Sequence, residues 1–309
     1  MNVPPFLPSP AVSSVVPPRH RDFSLRRLSA LARNTLTELT RLKVFYVLVI
    51  FALVLIGSSL FVARLTFQQE FQILKDMSLG AISLFSSMLA IFATARLLPD
   101  DLEHRTVYTI LAKPVPRFEY VLGKLLGVLL LLAICVAVMT ALFGAVLHLR
   151  EQTALNETTR QMARLPPEQL REALATLRAS GLSANLLAGI AAIYLKACIL
   201  AAVTLLISTV ATSNIFTVVM AIVVYFIGHL QAIAREVWLQ EQAAGWGSRT
   251  FLAIVALIFP DLQQFDFSDE IVAGAAIPLR LFGGTVVLAG FYVVIYALLA
   301  IAAFNAREI

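Results

Sequence analysis

The side chains best suited to polar chemistry lie in one charged stretch, residues 97–127, which separates two long apolar runs. It contains four carboxylates and four basic groups: Asp100, Asp101, Glu103, Arg105, Lys113, Arg117, Glu119 and Lys124. Charges at this density must lie in water, because burying an unpaired charge is costly. Since they can form ion pairs and hydrogen bonds with a partner molecule, this stretch is the first candidate for a binding site.

The same stretch predicts a short helix with a defined start and stop. Pro99, Asp100 and Asp101 fit a helix start, where free N–H groups and the positive end of the helix dipole favour negative charge. A helix over about residues 101–111 follows, and Pro114 and Pro116 prevent its continuation because each lacks an N–H donor.

The sequence contains no pattern typical of catalysis or of a metal site. Its four histidines are far apart, and it has neither an H-E-x-x-H motif nor a Cys/His cluster. Gly123 and Lys124 lack the earlier glycine and the following Ser or Thr of a Walker A loop. We therefore expect no catalytic residue, no bound metal and no ATP held by that route. An intramembrane enzyme is disfavoured because the apolar runs lack paired polar residues.

Lys196 is the charged residue that lies well inside an apolar run. A lysine at the centre of a membrane costs about 2.5 to 3.5 kcal/mol on insertion scales, so it must be compensated. It could line a substrate path and contact an anionic group. It could also reach the interface and pair between helices, which is the interpretation we favour.

The composition places the chain in a membrane. Of its 309 residues 59% are hydrophobic and 14% are charged, whereas about a quarter of a soluble domain is charged. About 20 apolar residues cross a bilayer as a helix, and the turn-forming residues 212–214 divide one long uncharged run. This predicts an all-α integral membrane protein with spans at about residues 44–63, 77–96, 124–149, 186–211, 215–234 and 281–306.

Six spans put both termini on one side, and basic residues near the span ends set the orientation. With the N-terminus inside, the inner segments hold 13 Lys/Arg and the outer segments hold 10. We expect both termini in the cytoplasm.

Four segments outside the spans have predicted roles of their own. Residues 1–23 hold six prolines and are expected to form a disordered tail, and residues 24–43 an amphipathic helix at the inner headgroups, with Ser24 as its N-cap. Residues 150–185 form a long outer loop, with an apolar stripe after Pro167. The outer region 235–280 contains a run, residues 250–260, that is apolar but too short to cross and indicates a re-entrant or interfacial segment. The acidic residues after that run are expected to be helix caps or solvated.

The charged stretch reads D-x-E-x-x-T-x-x-x-x-L-A-K-P-x-x-R-x-E-x-x-x-G-K-x-x-G from Asp101 to Gly127. This string resembles the first cytoplasmic loop of ABC-2 type transporter permeases. The resemblance implies that residues 97–123 contain a coupling helix that docks on a separate ATPase subunit, where ATP and magnesium are bound. It also implies an N-terminal elbow helix, outer re-entrant helices before the last span and pairing with a second permease copy. The docking residues expected from it are Asp101, Leu102, Glu103, Arg105, Thr106, Tyr108, Lys113 and Arg117.

The sequence therefore predicts the permease subunit of an ABC-2 type exporter in the cytoplasmic membrane. Its expected partners are an ABC ATPase, a second permease copy and membrane lipid, with no nucleic acid. The alternative is a polytopic membrane anchor that recruits a cytoplasmic partner through the same loop without transport.

Overall fold

A computed structural model describes residues 24–64, 70–103, 116–161, 184–240 and 259–306, together with Glu168, Arg171 and Leu174. In these residues all regular structure is helical. The α-helices are α1 (Leu25–Thr40), α2 (Lys43–Arg64), α3 (Glu70–Ala95), α4 (Leu97–Glu103), α5 (Arg117–Gln161), α6 (Ala184–Val210), α7 (Asn214–Gln240), α8 (Ser268–Val272) and α9 (Leu279–Ala306). A 3-10 helix covers Leu262–Phe265.

Five helical stretches in the described residues are long and apolar enough to cross a membrane. They are Phe71–Asp101, Arg117–Arg160, Asn185–Val210, Asn214–Gln231 and Leu279–Ala306. A sixth is obtained when α1 and α2, which meet at a bend of 69°, are counted as one broken span. The chain thus has the helices of a multi-pass membrane protein, and each predicted span overlaps one of α2, α3, α5, α6, α7 and α9.

The break predicted within the long uncharged run is confirmed. Residues 211–213 are not helical, and α7 begins at Asn214. Thr217 donates its backbone N–H to the carbonyl of Ser213, and the Ser213 hydroxyl accepts from the backbone N–H of Phe216. Ser213 therefore supports the first turn of α7, as short hydroxyl side chains do at helix starts.

Helix α5 is longer at both ends than the predicted span of residues 124–149. It begins directly after Pro116, whose carbonyl accepts the backbone N–H of Tyr120, and it continues to Gln161. The start is early because Tyr120 and Val121 are fully buried, so the first turns already pack in the core. Residues 117–123 of the predicted coupling loop and residues 150–161 of the predicted outer loop are therefore helical.

The bundle has two ends. At one end, which we call the elbow end, α1 packs along the beginning of α5 near the ends of α4, α6 and α9 and the start of α7. The opposite end, which we call the far end, contains residues 259–278 before α9. The apolar core runs between the ends. Its most buried long helices are α3 and α6, and α6 packs on both α3 and α9.

At the far end, the 3-10 helix and α8 pack into the bundle. Gly228 of α7 leaves room for them, since a side chain there would meet Leu262 and the Pro260 carbonyl at 2.7 to 2.8 Å. Gly189 of α6 likewise faces Ile271, at 2.0 Å from the position of an added Cβ. Residues 250–258 of the predicted re-entrant run lie outside the described residues.

Candidate functional site

Two groups of charged residues meet inside the chain, one at the elbow end of the bundle and one near the middle of α6, where it meets the far-end segment. The first lies at the elbow end, where the predicted docking loop leaves and returns. Residues 104–115, including the predicted docking residues Arg105, Thr106, Tyr108 and Lys113, lie outside the described residues. Leu102 and Glu103 are placed only as the last residues of α4. The predicted docking roles of these six residues stay predictions.

Asp101 lies inside the chain at the point where the loop leaves α4. Its carboxylate accepts a hydrogen bond from the Tyr120 hydroxyl and pairs with the Lys124 ammonium at 2.8 Å. All three residues are buried, and Lys124 also pairs with Glu38 of α1 at 3.1 Å. Lys124 therefore joins the end of α4, the beginning of α5 and α1 in one network of ion pairs.

A second ion pair fixes the beginning of α1. The Arg27 guanidinium donates two hydrogen bonds to Glu119, of 2.8 and 2.9 Å, and the Ser24 backbone N–H donates a third at 3.1 Å. Glu119 is fully buried, so these bonds satisfy a carboxylate that water does not reach. Ser24 occupies the predicted N-cap position of α1, but its hydroxyl makes no capping bond. Ser24 instead uses its backbone N–H to bind Glu119.

Two glycines let α1 lie close to α5. A Cβ on Gly123 would stand 2.6 Å from the Leu31 Cβ, and one on Gly127 would stand 2.6 Å from the Thr35 Cβ and 2.8 Å from the Ala32 carbonyl. Both glycines are in the string that resembles the permease loop. Their spacing of four residues puts them on one face of α5, which faces α1.

The remaining contacts tie the loop base to the last two long helices. Arg117 donates to the Asn305 carbonyl at 3.2 Å, and Asn214 donates to the Asp100 carboxylate. Arg96 pairs with Asp100 at 3.2 Å across one helical turn. Both sides of the loop are thus attached to a common base built from α1, α4, α5, α7 and α9.

The second group surrounds Lys196, which is fully buried. It lies in α6 about 18 Å from the start and about 21 Å from the end of that helix, at 1.5 Å per residue. Its ammonium donates to the Ser83 hydroxyl at 2.6 Å and pairs with Asp266 at 3.5 Å. The expectation that this cation must be compensated is confirmed, and the partner is an acidic residue of the far-end segment.

Asp266 has two functions in this geometry. One carboxylate oxygen accepts from the Ser268 hydroxyl at 2.6 Å and from its backbone N–H at 3.2 Å, and the other faces Lys196. Burial raises the pKa of Asp266, but the Lys196 charge and the hydrogen bonds outweigh it and hold the pKa below its usual value. Asp261 caps the 3-10 helix by accepting from the Gln263 backbone N–H at 3.2 Å. Capping was predicted for these acids, whereas the pairing of Asp266 with Lys196 was not.

The pairing was not predicted because Lys196 and Asp266 are 70 residues apart in the sequence. The apolar run before Asp266 was the one feature that could have indicated that this acidic residue lies inside the bundle. The residues after that run pack into the bundle, where a buried cation needs a carboxylate. Cys135 and Cys198 are free and buried. In the part of the chain that the structure describes, no group of three or more His, Cys, Asp or Glu could hold a metal ion.

Comparisons with known proteins assign this chain to no family. No protein-family model matches the chain, and no curated protein matches it either.

Proposed function

We propose that this chain is the membrane-spanning permease subunit of an ABC-2 type transporter, which exports its substrate across the cytoplasmic membrane using ATP hydrolysis in a separate subunit. The observation that carries the proposal is the set of buried contacts that joins the two sides of the charged stretch, which we call its base. Asp101 comes before residues 104–115 of the charged stretch, and Tyr120 and Lys124 come after them. Buried contacts join these three side chains. The string that resembles the permease family runs from Asp101 to Gly127, so it begins and ends at this base.

A docking loop must pass motion to the spans, and a fixed base supports that role. The ion pair of Asp101 with Lys124 is shielded from water, so separating its partners would leave uncompensated charge. The loop, α5 and the elbow helix would therefore move together when the ATPase subunits close. In this proposal Asp101 and Arg117 position the loop, and Leu102, Glu103, Arg105, Thr106, Tyr108 and Lys113 contact the ATPase.

The proposal includes a membrane orientation and a second copy. The elbow end faces the cytoplasm, in agreement with the excess of basic residues there, and both termini are cytoplasmic. Large apolar side chains such as Ile215, Phe216 and Phe226 of α7 and Val287 and Phe291 of α9 are exposed in the single chain. These faces would contact lipid or the second permease, and the two copies would alternate access between the two sides.

Affinity purification of the tagged chain in mild detergent tests the proposal. We expect an ATPase with a Walker A motif to copurify with the wild type and to be lost in the Glu103→Ala plus Arg105→Ala variant. The matched control is Glu157→Ala plus Arg160→Ala, which removes the same two charges from exposed positions near the other end of α5. Loss of the ATPase in both variants, or its absence from well-folded wild type, would contradict the proposal.

A further inference from the structure

A cleft of about 660 Å³ opens at the far end between residues 263–278 and the first turns of α9. Its volume is within the range of small-molecule sites, about 300 to 1,000 Å³. Its lining includes the uncharged polar side chains of Gln263, Gln264 and Thr285, and two further sets of groups that bear on a ligand. Charged side chains come from Asp266, Glu270 and Arg280, and an apolar wall comes from Leu281, Gly284 and Leu288.

The apolar wall follows one face of a membrane-spanning helix. Leu281, Gly284 and Leu288 are three and four residues apart, so they lie above one another along about 10 Å of α9. Gly284 widens the cleft, because a Cβ at this position would meet nothing within 4 Å. The wall therefore offers a groove that leads from the beginning of the helix toward the interior of the span.

The charges are arranged differently, with both signs at the mouth. Glu270 and Arg280 are exposed, whereas Asp266 lies deeper and is already paired with the buried Lys196. A purely anionic ligand would meet Glu270 without compensation, and a purely cationic one would meet Arg280. A ligand that carries both signs satisfies both groups at once.

We propose that this cleft binds a zwitterionic amphiphile, whose ammonium group pairs with Glu270, whose phosphate pairs with Arg280 and whose acyl chain lies against Leu281, Gly284 and Leu288. The proposal does not depend on transport. A membrane lipid with an amine-bearing headgroup has this chemistry, and the cleft begins where such headgroups meet the first turn of a spanning helix.

The geometry provides a variant that fills the cleft and a matched control. Gly284→Phe places a ring in the groove, and Gly283→Phe adds the same ring one residue earlier, outside the cleft. A Cβ meets nothing within 4 Å at either position, so both variants should fold. Thermal unfolding and gel filtration of the two proteins check this point.

The test is a calorimetric titration of the purified full chain in a maltoside detergent with three probes. Dioctanoyl phosphatidylethanolamine is zwitterionic, dioctanoyl phosphatidylglycerol is anionic with the same chains, and octyltrimethylammonium is cationic. We expect saturable binding of the first probe that is at least about tenfold tighter than that of the other two, a difference of about 1.4 kcal/mol. We also expect about a tenfold loss in Gly284→Phe, none in Gly283→Phe, and a loss in Glu270→Gln that spares phosphatidylglycerol, which has no ammonium group to pair with Glu270.

Other outcomes would overturn the proposal. Equal affinity for the three probes, or equal affinity of the two phenylalanine variants for phosphatidylethanolamine, would show partition into the detergent belt. Preference for phosphatidylglycerol that disappears in Arg280→Gln would replace the proposal with an anion site.

Discussion

At the scale of single residues, the pair of Lys196 with Asp266 is asymmetric. The lysine is fully buried, whereas the Asp266 side chain keeps 36% of its accessible surface and has Ser268 as a second partner. A buried cation that loses its counter-ion has no access to water, and a carboxylate at the edge of a cleft does. The two single substitutions should therefore differ in cost.

We expect Asp266→Asn to destabilise the protein more than Lys196→Met does. Breaking a buried pair by removing one partner costs about 3 to 5 kcal/mol, and the cost should be near the lower value here because Asp266 is partly exposed. The midpoint of thermal unfolding in detergent ranks the stability of the two single variants and of the double variant. The double variant should recover part of the stability that Asp266→Asn loses. A larger loss in Lys196→Met would show that the lysine does not depend on this carboxylate.

The same pair predicts a pH dependence. The pKa of Asp266 is lowered in the folded protein, so its contribution to stability is present above the pKa of the unfolded state and is lost as the pH falls through the folded pKa. The difference in unfolding midpoint between wild type and Asp266→Asn should stay constant from about pH 5 to 8 and shrink below about pH 4. A difference that already shrinks between pH 7 and 5 would contradict the lowered pKa.

At the scale of elements, the contact between α1 and α5 explains part of the string that resembles the permease loop. Glu119 binds Arg27, Lys124 binds Glu38 and Asp101, and Gly123 and Gly127 face α1 at close range. These residues hold α1 against the bundle. The second half of the string is thus accounted for by packing within the chain, and the docking function is proposed for the first half.

Substituting alanine for two glycines of α5 tests this contact. Gly127→Ala brings a methyl group within 2.8 Å of the Ala32 carbonyl, so α1 must move, at a cost of about 1 to 3 kcal/mol. Gly144→Ala meets nothing within 4 Å and should gain up to about 1 kcal/mol of helix propensity. Thermal unfolding should therefore shift in opposite directions. Equal shifts would mean that α1 is not held at this face.

Length and polarity made the long helices predictable from the sequence, because each is a run of about 20 uncharged residues between polar ends. The turn at residues 211–213 was also predictable, because residues 212–214 are of turn-forming types. Helix α5 was harder to predict, since its first and last turns carry charge and look like loop. Glu119 and Lys124 are charged yet buried, because other elements supply their partners: Arg27 for Glu119, and Glu38 and Asp101 for Lys124.

At the scale of the whole molecule, the proposed orientation can be measured with single cysteines. Cys135 and Cys198 are buried, so a membrane-impermeant maleimide should react little with the native chain. Ser213→Cys places a thiol in the exposed turn at the elbow end, and Glu157→Cys places one in the extension of α5 near the far end. In intact cells only the position 157 thiol should be labelled, and in inverted vesicles only the position 213 thiol. The reverse pattern would contradict the cytoplasmic placement of the loop.

The central claim is that the charged loop touches an ATPase in the cell. Replacement of Tyr108 by the photoreactive amino acid p-benzoylphenylalanine tests it most directly, and the same replacement at Tyr46, an exposed aromatic residue of α2, is the matched control. On illumination of living cells, we expect position 108, and not position 46, to form a covalent adduct with a polypeptide that contains a Walker A motif. An adduct at position 108 that contains lipid or a protein without an ATP site would contradict the account.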